Sequence, residues 1–121
     1  MGWFARRKTA ADVVQSAHEQ AVIVHYALSD DQFGSADERE AVYALQDRLM
    51  AAIDARGGVG EFDGNEFGGG EVVLYAYGPD ALRLFAAMES TLRAFPARPA
   101  HAVLRLGEAT DPSAEEIRID L

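Results

Sequence analysis

The chain has 121 residues, no cysteine and a formal net charge of −9. This length and composition predict one cytoplasmic globular domain without disulfides, thiolate chemistry or cysteine-ligated metal. The acidic charge disfavours nucleic acid and anionic lipid as partners, and no apolar run reaches the ~20 residues that span a bilayer, so we expect no stable membrane association.

The start of the chain predicts a helical extension followed by a buried strand. Residues 9–20 can form a short helix that Thr9 caps. We therefore divide the chain into an N-terminal helical extension, residues 1–20, and a single domain, residues 21–121. The run AVIVHYAL, residues 21–28, is rich in β-branched and aromatic residues and predicts a strand.

A long amphipathic helix is predicted over residues 36–56. Ser35 and Glu38 have the spacing of a capping box, and Gly57 is placed to end the helix. Apolar residues recur between them at helical spacing: Val42, Leu45, Leu49, Ala52 and Ile53.

The stretch GVGEFDGNEFGGGEVVLYAYGPD raises three alternatives: a phosphate loop, a metal loop or a hairpin. A phosphate loop needs glycines between a strand and a helix N-terminus, whereas here one glycine group follows a helix and the other precedes a strand. The pattern favours a hairpin with an extended arm over residues 59–67, a tight turn at Gly68 and Gly69, and a strand over residues 71–77.

The last third of the chain predicts a helix and two strands. The helix starts at Gly78-Pro79-Asp80, with Pro79 at the first helical position. Its apolar stripe is Leu82, Phe85, Met88, Leu92 and Phe95. Residues 101–106 form a strand, and the alternating residues 116–121 form a half-exposed strand at the sheet edge.

This order predicts an α+β domain with the ferredoxin-like βαββαβ topology, plus the N-terminal helix and an extra C-terminal edge strand. Right-handed crossovers place both helices on one face of the antiparallel sheet. Strand alternation then assigns a core face and an opposite face. The core face holds Val22, Val24, Tyr26, Leu28, Val72, Leu74, Ala76, Ala102, Leu104 and Leu106. The opposite face holds Ile23, His25, Ala27, Val73, Tyr75, Tyr77, His101, Val103 and Arg105.

The opposite face is apolar enough to need a cover. A second copy of the chain, the segment of residues 3–18, or a small ligand are the three alternatives. We favour a second copy or the segment, because the face lacks a concentrated polar constellation.

Two sets of residues carry candidate chemistry. Glu61, Asp63 and Asn65 alternate and would share one face, but their spacing is not that of a calcium loop, and acids along an edge strand also block aggregation. His25 and His101 fall on neighbouring strands. With Glu61 or Asp63 they would suggest acid–base catalysis, yet no nucleophile sits beside a base. We therefore predict no metal, no cofactor and no catalytic residue.

The residues Gly60-Glu61-Phe62-Asp63-Gly64, followed by Leu74-Tyr75 and Tyr77-Gly78-Pro79-Asp80, resemble the pattern of a family of small bacterial ferredoxin-like domains. The resemblance covers about residues 25–107. It implies a compact ferredoxin-like domain and carries over no catalytic residues.

The sequence thus favours a non-catalytic interaction domain that forms a homodimer through the open sheet face. Its acidity also suits a basic protein partner, as in an immunity-type protein that neutralises a basic toxin. The alternatives are a sensor that holds a small molecule between the sheet and the hairpin of residues 60–70, and an enzyme that uses His25 or His101. The candidate binding residues are His25, Tyr75, Tyr77, His101, Arg105, Glu61 and Asp63.

Overall fold

Five strands and two helices form the part of the chain that the computed structural model describes, residues 19–108 and 110–121. They are β1 (Gln20–Ala27), α1 (Ala36–Arg56), β2 (Glu61–Gly68), β3 (Glu71–Gly78), α2 (Ala81–Ala94), β4 (Ala100–Arg105) and β5 (Glu116–Asp120). The sheet order is β2-β3-β1-β4-β5, and every neighbouring pair is antiparallel. The predicted α+β architecture is confirmed, and this order is consistent with a ferredoxin-like fold extended by β5 at one edge.

The predicted helix over residues 9–20 lies outside the described residues except at its end. There, Gln20 already belongs to β1, so the strand begins one residue earlier than predicted. The side-chain oxygen of Gln20 accepts a hydrogen bond from the backbone N–H of Ala81 at 2.9 Å. This bond satisfies a donor in the first turn of α2, which has no partner within the helix, and joins the start of β1 to that helix.

The start of α1 follows the predicted capping box. The Ser35 hydroxyl accepts the N–H of Glu38 at 3.1 Å, and the Glu38 carboxylate accepts the N–H of Ser35 at 2.9 Å. The same carboxylate accepts the hydroxyl of Ser29 at 2.6 Å, and these bonds lower the pKa of Glu38. Glu38 therefore fixes the loop after β1 as well as the helix N-terminus. The buried side of α1 consists of Val42, Leu45, Leu49 and Ile53.

The start of α2 lies two residues later than predicted. Asp80 is the N-cap, with its carboxylate accepting the N–H of Leu82 at 3.0 Å, so the helix begins at Ala81 and Pro79 lies before it. This start turns Leu84 into the core, whereas Leu82, predicted in the apolar stripe, is 52% exposed. The other four residues of the predicted stripe are buried, so the prediction is confirmed beyond the first turn: Phe85, Met88, Leu92 and Phe95.

The C-terminal end of α2 is fastened by two side chains. The buried Tyr26 hydroxyl of β1 donates to the carbonyl of Leu92 at 2.7 Å. The Arg98 guanidinium donates to the carbonyls of Phe95 and Arg93 at 2.6 and 3.0 Å. Burial raises the pKa of Tyr26 above its usual range, because the neutral hydroxyl is the form that the core accepts. These bonds satisfy carbonyls that a helix end leaves unpaired.

The β2–β3 turn lies one residue later than predicted. Gly68 pairs with Glu71, and the two turn residues are Gly69 and Gly70, with φ of 62° and 81°. A two-residue hairpin loop of the type I′ class needs positive φ at both positions. Gly70 also donates its N–H to the carbonyl of Gln32 at 3.0 Å, which fastens the turn to the loop before α1.

A β-bulge in β2 overturns the predicted alternation of Glu61, Asp63 and Asn65. The pairing register with β3 shifts between Phe62 and Gly64, so Asp63 is the inserted residue. Beyond the bulge, Asn65 faces the helix layer, where its amide donates to the side chain of Gln46 in α1. The three polar residues therefore do not share one face.

Replacement of Gly69 by valine tests the turn assignment. We expect Gly69→Val to lower the free energy of unfolding by about 1–2 kcal/mol, because a β-branched residue is strained at positive φ. Gly68→Val is the matched control, since Gly68 has no positive φ and open space for a Cβ. Urea unfolding measures both, and a larger loss for Gly68→Val would return the turn to residues 68–69.

Candidate functional site

The two faces of the sheet have different environments, as the alternation predicts. Val22, Val24 and Tyr26 of β1 are fully buried against the helix layer, whereas Ile23 and His25 between them are partly exposed on the other side. Core residues of both helices belong to the same buried cluster as the core face of the strands. We call the side opposite to the helices the open face.

The pairing register arranges the open face in three full rows that run across the sheet from β2 to β5, and a shorter row of Gly68, Glu71 and Ala27 lies beside the hairpin turn. The histidine row is Glu66, Val73, His25, His101 and Asp120. The apolar row is Gly64, Tyr75, Ile23, Val103 and Arg118. The arginine row is Glu61, Tyr77, Ala21, Arg105 and Glu116. Apolar side chains thus occupy the centre of the face and charged ones its two edges.

His25 and His101 stack on each other in the histidine row. Their ring centroids are 4.5 Å apart and the rings are inclined by only 8°. The Nδ1 of His25 lies 3.2 Å from the Oε1 of Glu71. Burial and the charge of His25 lower the pKa of His101 below its ordinary 6.5, with Arg118 acting in the same sense. The neutral ring of His101 is therefore the favoured form.

A shallow hollow of about 270 Å³ lies beside this stack, beneath the hairpin turn. Its lining is His25, Ala27, Gly69, Gly70, Glu71, Pro99, His101 and Arg118. Glu71 neighbours His25, and the Arg118 side chain contacts Asp120 at 3.2 Å. The charges around the hollow therefore pair with one another, so the hollow has little unbalanced charge for a ligand.

The two predicted tyrosines have different environments. The Tyr75 hydroxyl donates to Glu66 at 3.4 Å, and Tyr77 is only 9% exposed. Both lie on β3 in the apolar and arginine rows, towards the β2 edge. They extend the apolar centre of the face from β1 towards β2.

The Arg105 side chain fixes the turn between β4 and β5. Its guanidinium contacts the Glu116 carboxylate at 3.0 Å and the carbonyl of Glu108 at 3.2 Å, and it also donates to the carbonyl of Asp111. These bonds join β4, β5 and the turn between them. The side chain that we predicted as a binding residue therefore makes structural contacts.

The register separates the histidines from the acids that the enzyme hypothesis required. Glu61 lies two strands and four residue positions from His25, which corresponds to roughly 16 Å between Cα atoms. The carboxylate beside the histidines is that of Glu71, which reaches His25 diagonally across the β1–β3 pair. The sequence prediction missed this contact, because it can be found only when the pairing register of β1 and β3 is known.

Within residues 19–108 and 110–121, no three histidine, aspartate or glutamate side chains are grouped as ligands for a metal ion. No helix in the same part of the chain has the length and apolarity to cross a membrane.

Comparison with known proteins adds no assignment. No protein-family model, no curated protein and no solved structure matches this chain. The resemblance to small bacterial ferredoxin-like domains therefore stays a prediction, and the function must be argued from the open face and the surface of α1.

The lowered pKa of His101 predicts a pH-dependent stability. The unfolded chain takes up this proton at a higher pH than the folded one, so the stabilisation is complete above about pH 6.5 and is lost as the pH falls through the folded pKa. We expect the urea midpoint of the native chain to fall more steeply between about pH 7 and about pH 5 than that of His101→Gln. Parallel midpoint curves for the two proteins would contradict this cause.

Proposed function

We propose that this chain is a ferredoxin-like, non-catalytic interaction domain that self-associates through its open face. The observation that carries the proposal is the apolar row. Ile23, Val103 and Tyr75 form a contiguous band across the three central strands, and both helices lie on the other side of the sheet. Covering such a band removes apolar surface from water, which is the main driving force of association.

The size of the face indicates a weak dimer. Five strands at ~4.8 Å spacing and about six residues of ~3.3 Å each give a face of roughly 24 by 20 Å. Two such faces bury an area near the lower limit of stable protein–protein interfaces. We therefore expect a dissociation constant in the micromolar range.

The apolar row suits a second copy as the occupant. A two-fold axis parallel to β1 places each row opposite the same row of the partner, so Ile23 of one copy faces Ile23 of the other at the centre. The charged ends of the outer rows add no attraction, because this axis places Glu66 opposite Asp120 and Glu61 opposite Glu116. Apolar burial therefore carries the association.

The sensor hypothesis has weaker support. Its site would be the hollow beneath the hairpin turn, whose volume of about 270 Å³ is just below the usual range for small-molecule pockets. Glu71 already contacts His25, and Arg118 contacts Asp120 outside the lining, so a ligand would have to displace existing contacts. Self-association uses the whole face and needs no such exchange.

Replacement of Ile23 at the centre of the face tests self-association. We expect Ile23→Lys to raise the dissociation constant of the dimer at least about thirtyfold, because a central apolar contact becomes a desolvated charge in both copies. Leu82→Lys is the matched control, since Leu82 is 52% exposed on the helix layer. Sedimentation equilibrium of the full chain between about 1 and about 100 µM measures the constant.

The outcomes separate the possible occupants. A native chain that is monomeric over this range overturns self-association and leaves the segment of residues 3–18 as the candidate cover. Equal weakening by Ile23→Lys and Leu82→Lys would move the interface away from the open face. Thermal unfolding of both variants shows that each is folded.

A second candidate function, binding of a basic protein, is favoured by the outer surface of α1. Five exposed residues recur there at spacings of three and four, and so they form one stripe along the helix. They alternate between acidic and large apolar side chains: Glu40, Tyr43, Asp47, Met50 and Asp54. Tyr43 and Met50 are 50% and 41% exposed. The stripe matches a basic amphipathic segment, with cations for the carboxylates and apolar groups for Tyr43 and Met50.

A synthetic helical peptide with arginine and leucine at the complementary spacing tests this stripe. We expect Asp47→Asn to weaken its binding about threefold or more in a fluorescence anisotropy titration, because a pairing carboxylate within the stripe is lost. Glu115→Gln removes the same charge from an exposed position in the loop before β5 and should change binding little. An equal effect of both variants would indicate attraction to the net charge alone.

A further inference from the structure

The stacked histidines are central to the face that the proposed dimer would bury. His25 and His101 face each other on adjacent strands, one row away from Ile23 and Val103 of the apolar row. Their rings lie 4.5 Å apart. A protein surface that packs on the apolar row therefore also contacts the neighbouring histidine pair.

Charged groups on β2, β3 and β5 lie in or beside the row that holds the histidine pair. On β3, Glu71 contacts His25, and on β5, Asp120 lies opposite His101 in the register, with Arg118 two residues away. On β2, Glu66 lies at the far end of the same row, beyond Val73. Glu71 and Asp120 favour a proton on His101, whereas His25 and Arg118 oppose it together with burial, and burial is the largest effect.

Dimer formation would strengthen the largest of these effects. Covering the face removes water from His101 and so increases the cost of its charged form. A proton on His101 would form a cation in a dry interface, with the stacked ring of His25 4.5 Å away. The interface therefore accepts His101 as a neutral ring.

We propose that His101 makes self-association through the open face sensitive to pH, so that the dimer is favoured at neutral pH and weakens at acidic pH. The inference rests on the proposed self-association. By linkage, the dissociation constant can change by up to about tenfold per pH unit for each His101 that must lose its proton on association. A dimer contains two such histidines.

The net charge of the chain predicts the opposite trend and so provides an internal control. The chain carries −9 at neutral pH, and protonation at lower pH reduces the repulsion between two copies. Without a titrating group in the interface, acidification should therefore strengthen the dimer. Weakening at low pH requires a cation to form where the copies meet.

Sedimentation equilibrium of the full chain at about pH 7.5 and about pH 5.5, at constant ionic strength, tests the inference. We expect the dissociation constant of the native chain to rise roughly tenfold or more at the lower pH. His101→Gln should lose most of this rise, with His101→Asn as a second neutral variant. His18→Gln is the control for the third histidine and should keep the full rise.

Each result has one meaning. A native chain that is monomeric at both pH values overturns the proposed self-association itself. A native dimer with the same constant at both pH values, or one that tightens at low pH, overturns the role of His101 and leaves self-association standing. A rise that persists in both folded His101 variants also overturns that role.

Discussion

The one-sided coverage of the sheet is the constraint on which the rest of this structure depends. A strand presents successive side chains to opposite faces, and both helices lie on only one of them. The central strand β1 therefore buries Val22, Val24 and Tyr26 and necessarily turns Ile23 and His25 the other way. Once the pairing register fixes which residues of a strand enter the core, it also fixes which residues lie on the open face.

The architecture could be predicted because several local signals agreed with each other. The capping box at Ser35, the β-branched run in β1 and the alternation in β5 each set an element, and the element order then limited the topology. The predicted boundaries were wrong where two neighbouring residues are equally suited to the same position in a turn or helix start. Three successive glycines allow two turns, and only the pairing of Gly68 with Glu71 selects Gly69 and Gly70.

Other features could not be predicted because they depend on contacts between distant segments. The bulge at Asp63 reverses the sides of all residues after it in β2. The glycine that follows it, Gly64, is a weak local sign, because glycine inside a strand often accompanies a bulge. The contact of Glu71 with His25 joins residues 46 positions apart across a diagonal of the sheet. The His25–His101 pair followed from topology, whereas the carboxylate beside it required the register.

The two candidate surfaces lie on opposite layers of the molecule, and this separation has a consequence for their physics. The open face is apolar at its centre and carries its charges at its edges, so its association should depend on burial and on the protonation of the few groups that it covers. The α1 stripe is acidic and exposed on the helix layer, so its interactions should be weakened by salt and little affected near neutral pH. Because the sheet and its core lie between them, occupation of one surface leaves the other accessible. A dimer formed through the open face would present two α1 stripes outward, and a bivalent basic partner would then bind more tightly than a single stripe allows.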